Sequence, residues 1–188
     1  MFFLYLSVME FESIQTDRLL LRKITPEVHR YVHRNFTEEA LREFFCITSE
    51  TGFVREKKMY EDGLTTFNKS FLWFHLLDKT TGRHLGWCGY HTWYTGHARA
   101  EIGYSLYDDD DKGKGLMTEA MRAILDFGFD EMKLNRVEAL IADYNTPSLK
   151  LVHRFGFQKE GVLRGHYFVD GIAEDSVVFG LLASEYRR

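Results

Sequence analysis

The chain has 188 residues, with 28 acidic and 24 basic side chains, 45% hydrophobic residues, 15% aromatics and two prolines. That length and apolar share fit one packed domain and exclude the low-hydrophobicity, high-charge profile of a disordered chain. A formal net charge of −4 excludes the basic face on which general nucleic-acid and anionic-membrane binding depend.

The chain opens on a nearly unbroken apolar run, MFFLYLSVM. It is too short for a membrane span, which needs about 20 residues, and it lacks the basic start and small-residue cleavage site of a secretory signal. Residues 1–9 are expected to be an N-terminal extension outside the core, and residues 10–188 a single domain. Residues 14–24 read as a strand, and Thr25-Pro26 then supplies a cap and a first-turn proline for a helix over 26–35. Helices are predicted over 38–47 and 55–68. Strands over 71–77, 84–94 and 98–106, rich in aromatic and β-branched residues, are separated by Thr80-Thr81-Gly82 and Thr95-Gly96-His97 and predict an antiparallel meander.

A helix over 116–132 would place Met117, Ala120, Met121, Ile124 and Phe127 on one face. A strand over 136–143 follows, then a helix over 148–155 opened by Pro147 and stopped by Gly156. Strands over 157–169 and 172–182 flank the hairpin signal Asp170-Gly171. This order predicts an α/β (α+β) fold on a mixed sheet and not an alternating, doubly wound one. Cys46 and Cys88 are far apart and outside any Cys-x-x-Cys unit, so two reduced, buried thiols and a cytoplasmic location are expected. His29 and His33 stand one helical turn apart, but no third ligand is visible, so a surface pair and no metal are expected.

Chemistry concentrates in two places. Between the strand over 98–106 and the helix over 116–132 lies a loop of four aspartates, Asp108, Asp109, Asp110 and Asp111, followed by Lys112, Gly113, Lys114 and Gly115. Its glycines can bend close to a ligand, and the first amides of the helix carry the positive end of its dipole, the parts of a phosphate or pyrophosphate site. The loop is neither a Walker loop nor Gly-x-Gly-x-x-Gly, and taken alone it also reads as a glycine-rich surface turn. The four carboxylates read as a solvated loop, with an ion site or an acidic lip for a cationic substrate left open. The second place is a strand end at Asn145, with Ser148 on the first turn of the next helix and Gly156-Phe157 closing it.

Together these segments resemble the GNAT acetyltransferase superfamily. Lys112-Gly-Lys-Gly115-Leu-Met117 lies where that family's Gln/Arg-x-x-Gly-x-Gly/Ala binds the acetyl-CoA pyrophosphate. Asn145-x-x-Ser148 with Gly156-Phe157 is similar to its second motif, where Asn contacts the pantetheine or the acetyl-bearing end. Thr16-Asp-Arg-Leu-Leu-Leu-Arg22, Ala100-Glu-Ile-Gly-Tyr104, Leu134-Asn-Arg-Val-Glu138 and the ending from Asp170-Gly171 to Tyr186 resemble the Rim-type branch, which acetylates protein N-termini such as those of ribosomal proteins. The resemblance spans about residues 14–186. It implies a mostly antiparallel central sheet of about seven strands flanked by helices, and acetyl-CoA as co-substrate without a metal. It also implies an amine acceptor, with no nucleic acid or membrane as partner, and it admits a homodimer.

The same resemblance assigns the cofactor to Tyr104, Ser105, Leu106, Lys112, Gly113, Lys114, Gly115, Leu116, Met117, Thr118, Asn145 and Ser148. Two departures stand out at the loop, Lys112 for Gln or Arg and Met117 for Gly or Ala. A third is Val152, where many members carry the Tyr that protonates the leaving thiolate. Acetyl transfer needs a deprotonated amine and a protonated leaving sulfur. Glu101 is the expected base, directly or through water, or else a solvated strand carboxylate. Ser148 is the expected acid, or else a capping residue, with Tyr144 in reserve and Asn145 beside it. The expected activity is acetyl-CoA-dependent transfer to a primary amine, a protein N-terminal α-amine or a small amine, by direct attack in a ternary complex. The rival is a catalytically idle acyl-CoA-binding sensor or scaffold.

Overall fold

The apolar run over 14–24 is not one strand. In the computed structural model, which describes residues 11–187, it folds back at Thr16 into β1 (Ser13–Gln15) and β2 (Leu19–Ile24). The turn is fixed locally by the Leu19 amide donating to Thr16 Oγ1 at 3.1 Å, and at long range by Thr16 Oγ1 donating to Glu119 Oε1 at 2.6 Å. A partner 103 residues away leaves no trace in local periodicity, so the break is not readable from the run itself. The predicted extension over 1–9 lies outside the described residues.

Three helices follow, α1 (Pro26–Asn35), α2 (Glu38–Phe45) and α3 (Glu50–Asp62), each opened by a hydroxyl cap from Thr25, Thr37 and Ser49. The Ser49 cap starts α3 five residues before the expected position, and Gly63 at positive φ ends it before residue 68. Strands β3 (Lys69–Asp78), β4 (His84–Tyr94) and β5 (Arg99–Leu106) form the predicted meander. Then come α4 (Leu116–Asp130), β6 (Arg136–Ile141), α5 (Thr146–Arg154), β7 (Gln158–Val169) and β8 (Ile172–Leu182). Asp170 and Gly171 both take positive φ, the primed turn that matches strand twist.

The eight strands lie in the order β1-β2-β3-β4-β5-β6-β8-β7, one more than the about seven expected because of the break at Thr16. Every neighbouring pair is antiparallel except β5 and β6. Alternation along β3 splits its side chains: Leu72, Phe74 and Leu76 enter one core with Ala120, Met121 and Ile124 of α4, and Phe71 faces Val28, Val32 and Phe44 under α1 and α2. Burying each such side chain contributes about 1.5–3 kcal/mol, so the sheet is clamped from both sides.

Two expectations fail here. Cys46 is exposed, because it is the left-handed C-cap of α2, whereas Cys88 is buried as expected and its thiol is pushed up by that burial. His29 and His33 are not a surface pair. They point inward, and Glu56 of α3 meets both imidazoles. Among the described residues, no helix is long and apolar enough to cross a membrane.

Candidate active site

The parallel pair β5 and β6 is joined over three residues only, Arg99 to Arg136, Ala100 to Val137 and Glu101 to Glu138. Beyond Glu101 the strands part. The Ala98 carbonyl accepts from Arg136 on the β6 side, and the Tyr107 amide donates to Leu85 on the β4 side. Strand alternation therefore aims the amides and carbonyls of Ile102, Tyr104 and Leu106 into the gap, an open ladder edge that an extended chain can pair with. Charge holds the fork: Arg99 donates to Glu138 at 2.7 Å, and Arg136 bridges Glu138 at 3.1 Å and Glu160 at 2.7 and 2.5 Å. Glu138 and Glu160 in turn raise the pKa of Arg136, so it stays charged.

The loop after β5 is more structured than a solvated turn. Residues 109–111 make one 3-10 turn, Asp108 accepts from the Asp110 amide at 2.9 Å, and Asp109 pairs with Lys112. Asp111 is buried, at 4% exposure, and receives Arg83 at 2.7 Å. Asp111 is thus taken out of solvent beside a cation, a correction to the solvated loop at that position, whereas Asp109 stays exposed next to Lys112. Gly113 and Gly115 take φ of 74° and 78°, a left-handed path that a side chain would strain. The first backbone bond of α4 runs from the Glu119 amide to the Gly115 carbonyl, so the amides of Leu116, Met117 and Thr118 precede the helical ladder.

A cavity of about 450 Å³ beside this helix start is lined by Gly115, Thr118, Arg122 and Arg154. Arg154 donates to Thr118 Oγ1 at 3.0 Å. These two arginines stand outside every motif and share the cavity wall with Asp17, Glu119 and Asp126. A spacing of one turn after Thr118 was the only signal for Arg122, and α5 had to be docked before Arg154 reached the site.

At the fork itself a second cavity, about 200 Å³, is lined by Glu101, Tyr104, Asn145, Ser148, His91 and Tyr167. The three residues expected to carry the reaction are therefore brought together from β5, the loop after β6 and α5. Ser105, Leu106, Lys112, Gly113, Lys114, Leu116 and Met117 do not line it; of these Leu116 is buried in the core, and Leu106 and Met117 pack against it. Asn145 Oδ1 accepts from the Ser148 amide at 3.2 Å, so Asn145 is the cap of α5 and the Ser148 hydroxyl is not spent on that task. The buried Tyr104 Oη has no hydrogen bond of normal geometry; burial pushes its pKa up to about 12, with the Ser148 hydroxyl pulling the other way. Val152 is fully buried, and Tyr144 is exposed and donates to Glu174 at 2.7 Å, outside the cavity.

His91 and Tyr167 are the cavity residues that pattern reading missed. Each sits at a slip in strand register, between Tyr90 and Thr92 and between Leu163 and Tyr167. Such bulges re-aim a side chain against the alternation, which is why alternation cannot find them. His91 Nε2 lies 3.4 Å from Glu101 Oε1, and a Cβ at position 103 would meet the His91 ring at 2.5 Å, so Gly103 is what admits the imidazole.

An open strand edge, a glycine loop at a helix N-terminus and a small polar cleft between them are the parts of an acyl-transferase that holds its donor in an extended form. The family model described as "Acetyltransferase (GNAT) domain" matches residues 17–158. The uncharacterized N-acetyltransferase p20 of Bacillus licheniformis is 33% identical over 93% of this chain and 98% of its own length. The spermidine N(1)-acetyltransferase of Escherichia coli K12 is 26% identical over 48% of each chain. In fold, the ribosomal-protein-S5-alanine acetyltransferase of Vibrio fischeri matches with a TM-score of 0.64, covering 94% of this chain and all of that one at 22% identity. The spermidine/spermine N-acetyltransferase SpeG of Vibrio cholerae matches at 0.66, over 90% and 96%, at 21% identity. The chain belongs to the GNAT acetyltransferase family and is an N-acetyltransferase, a family whose co-substrate is acetyl-CoA.

Proposed function

We propose that this protein transfers the acetyl group of acetyl-CoA to a primary amine, a protein N-terminal α-amine or a small amine, by direct attack in a ternary complex. The observation that carries the reading is the meeting of Glu101, Asn145 and Ser148 in one cleft where β5 and β6 part. Acetyl-CoA supplies the thioester. The open edge at Ile102, Tyr104 and Leu106 aligns its pantetheine arm, and the amides of Leu116, Met117 and Thr118 with Arg122 and Arg154 take its phosphates.

Glu101 accepts the proton of the attacking amine, directly or through water, with His91 as its polar neighbour at 3.4 Å. A β5 amide facing the gap stabilises the negative charge that develops on the carbonyl oxygen. Ser148 relays a proton to the departing sulfur, its hydroxyl giving one proton as it takes another from water so that no alkoxide is left, and Asn145 fixes the helix turn that presents it. Tyr104, its pKa pushed up to about 12 by burial, keeps its proton at neutral pH and shares the cleft wall with Ser148. Both acceptor classes are represented by name among the relatives and fold neighbours, in the spermidine enzymes and in the S5-alanine enzyme.

The test is thiol release with acetyl-CoA against N-terminal Ala, Ser and Thr peptides and polyamines, together with acetyl-CoA titration of the variants. Glu101→Gln and Ser148→Ala should each lower kcat at least about tenfold, a loss of roughly 1.4 kcal/mol of transition-state stabilisation, with Kd for acetyl-CoA nearly unchanged. If neither variant slows turnover, these roles fall. Saturable binding without turnover on any amine would instead favour the idle sensor.

A further inference from the structure

We propose that His29, His33 and Glu56 form a binding site for a divalent transition-metal ion of the zinc class, which ties α1 to α3. The two histidines lie at i and i+4 of α1 on its buried face, and the third ligand comes from a helix whose start the local pattern misplaced. His29 Nε2 lies 2.8 Å and His33 Nε2 3.0 Å from the same oxygen, Glu56 Oε1. All three ligand atoms fall within 4.8 Å of one another, the only such group of His, Cys, Asp or Glu among the described residues. A tetrahedral ion with bonds of about 2.0–2.1 Å wants its ligand atoms about 3.3 Å apart. Opening the two hydrogen-bonded contacts by a few tenths of an ångström reaches that spacing for the Glu56 oxygen, and the two imidazole nitrogens already lie within 4.8 Å of each other.

Preorganisation is the second observation. The side chains are 6%, 4% and 14% exposed, and aromatic rings fix them in place. Tyr60 stacks on His33 at 4.2 Å with planes 3° apart, and Phe71 and Trp73 meet the edge of His29 at 5.9 and 6.2 Å. Rotamers held by packing keep ligand atoms convergent, the condition a metal site requires of its surround. Two imidazoles and one carboxylate suit zinc, cobalt or nickel and not calcium or magnesium, which prefer oxygen shells. Three protein ligands leave a fourth position for water or a small anion.

Without an ion, the same atoms make a clamp in which one carboxylate oxygen receives two imidazole N–H groups. Clamp and ion compete for the same three atoms, because each Nε2 must give up the proton it donates, which moves to Nδ1, before it can bind an ion, so a titration separates them. The site lies apart from the cleft at the fork and takes no part in the acetyl-transfer reading. It is linked to the cleft wall by ring contacts that run from His29 through Trp73 and Trp87 to His91.

The experiment is titration of the full, chelator-stripped chain with Co²⁺ near neutral pH, read by visible d–d absorption and by thermal shift. One saturable ion per chain with tetrahedral-type bands, displaced by Zn²⁺ and accompanied by a rise in Tm, is the expected result. Glu56→Gln and His33→Gln should abolish the bands or weaken binding at least about tenfold while the stripped proteins keep their far-ultraviolet spectrum. No saturable binding to the wild-type chain overturns the proposal, and needs no variant to do so. Bands that persist unchanged in both variants overturn it as well, placing the ion elsewhere.

Discussion

His84 carries a partly buried imidazole whose Nε2 donates to the Gly86 carbonyl at 2.9 Å, and whose other nitrogen is buried without a partner. Burial, and then the Arg22 guanidinium, lower its pKa from 6.5 to about 4. The neutral form is therefore the folded form. Its stabilisation is complete above about pH 6.5 and is lost as pH falls through about 4, because the unfolded chain binds the proton first, at up to about 1.4 kcal/mol per pH unit. Burial also lowers the neighbouring His75, so the two act in the same direction. Urea midpoints measured from pH 7 to pH 4 should fall less steeply for His84→Gln than for the parent chain; superimposable slopes would refute this. At this scale the motifs name Glu101, Asn145 and Ser148, and the fold brings the three to one cleft. The sequence hid those whose placement depends on a partner far along the chain, as with Glu56, or on a bulge, as with His91.

Helix α4 and the loop before it show what an element adds to its residues. The strand-loop-helix order, the glycines and the apolar stripe of Ala120, Met121 and Ile124 were all legible, because capping, left-handed turns and helical period are local properties. The wiring of the loop was not. Arg83, which buries and neutralises Asp111, comes from the turn before β4, and Arg18 reaches Lys114 and Glu119 from the β1–β2 turn. Asp109 differs from Asp111 in being exposed and paired only with Lys112. Replacing Asp109 by Asn frees that lysine beside the helix start, so Kd for acetyl-CoA by calorimetry should be equal or lower. Any gain should fade above about 0.1 M salt, where the Debye length is about 10 Å. A clear loss of affinity at low salt would show that the carboxylate serves the ligand. The start of α3 was misplaced for the converse reason: Ser49 caps it, but the apolar pattern is too thin there to announce a helix, with Phe53 its only buried residue.

At the scale of the molecule, strands β1 to β5 with α4 and strands β6 to β8 with α5 share one buried core, and their sheet edges meet along three residue pairs and a charged network. The order of elements, and with it the mixed sheet, followed from the sequence. The parting of β5 from β6 did not, since it depends on where a ladder stops and not on what either strand prefers alone. Arg136 is the member of the network shared by Glu138 and Glu160, so Arg136→Met should loosen that joint at a cost of about 1 kcal/mol, as expected for partly exposed pairs. Amide exchange should speed up in β6 and stay unchanged in β2 and β3; an equal rise across the sheet would mean that the network does not hold the seam. Glu101 is the last paired residue before the strands diverge. A point at the fulcrum of two arms moves least when the arms open or close, so a carboxylate placed there keeps its position whether the notch beyond it is empty or filled.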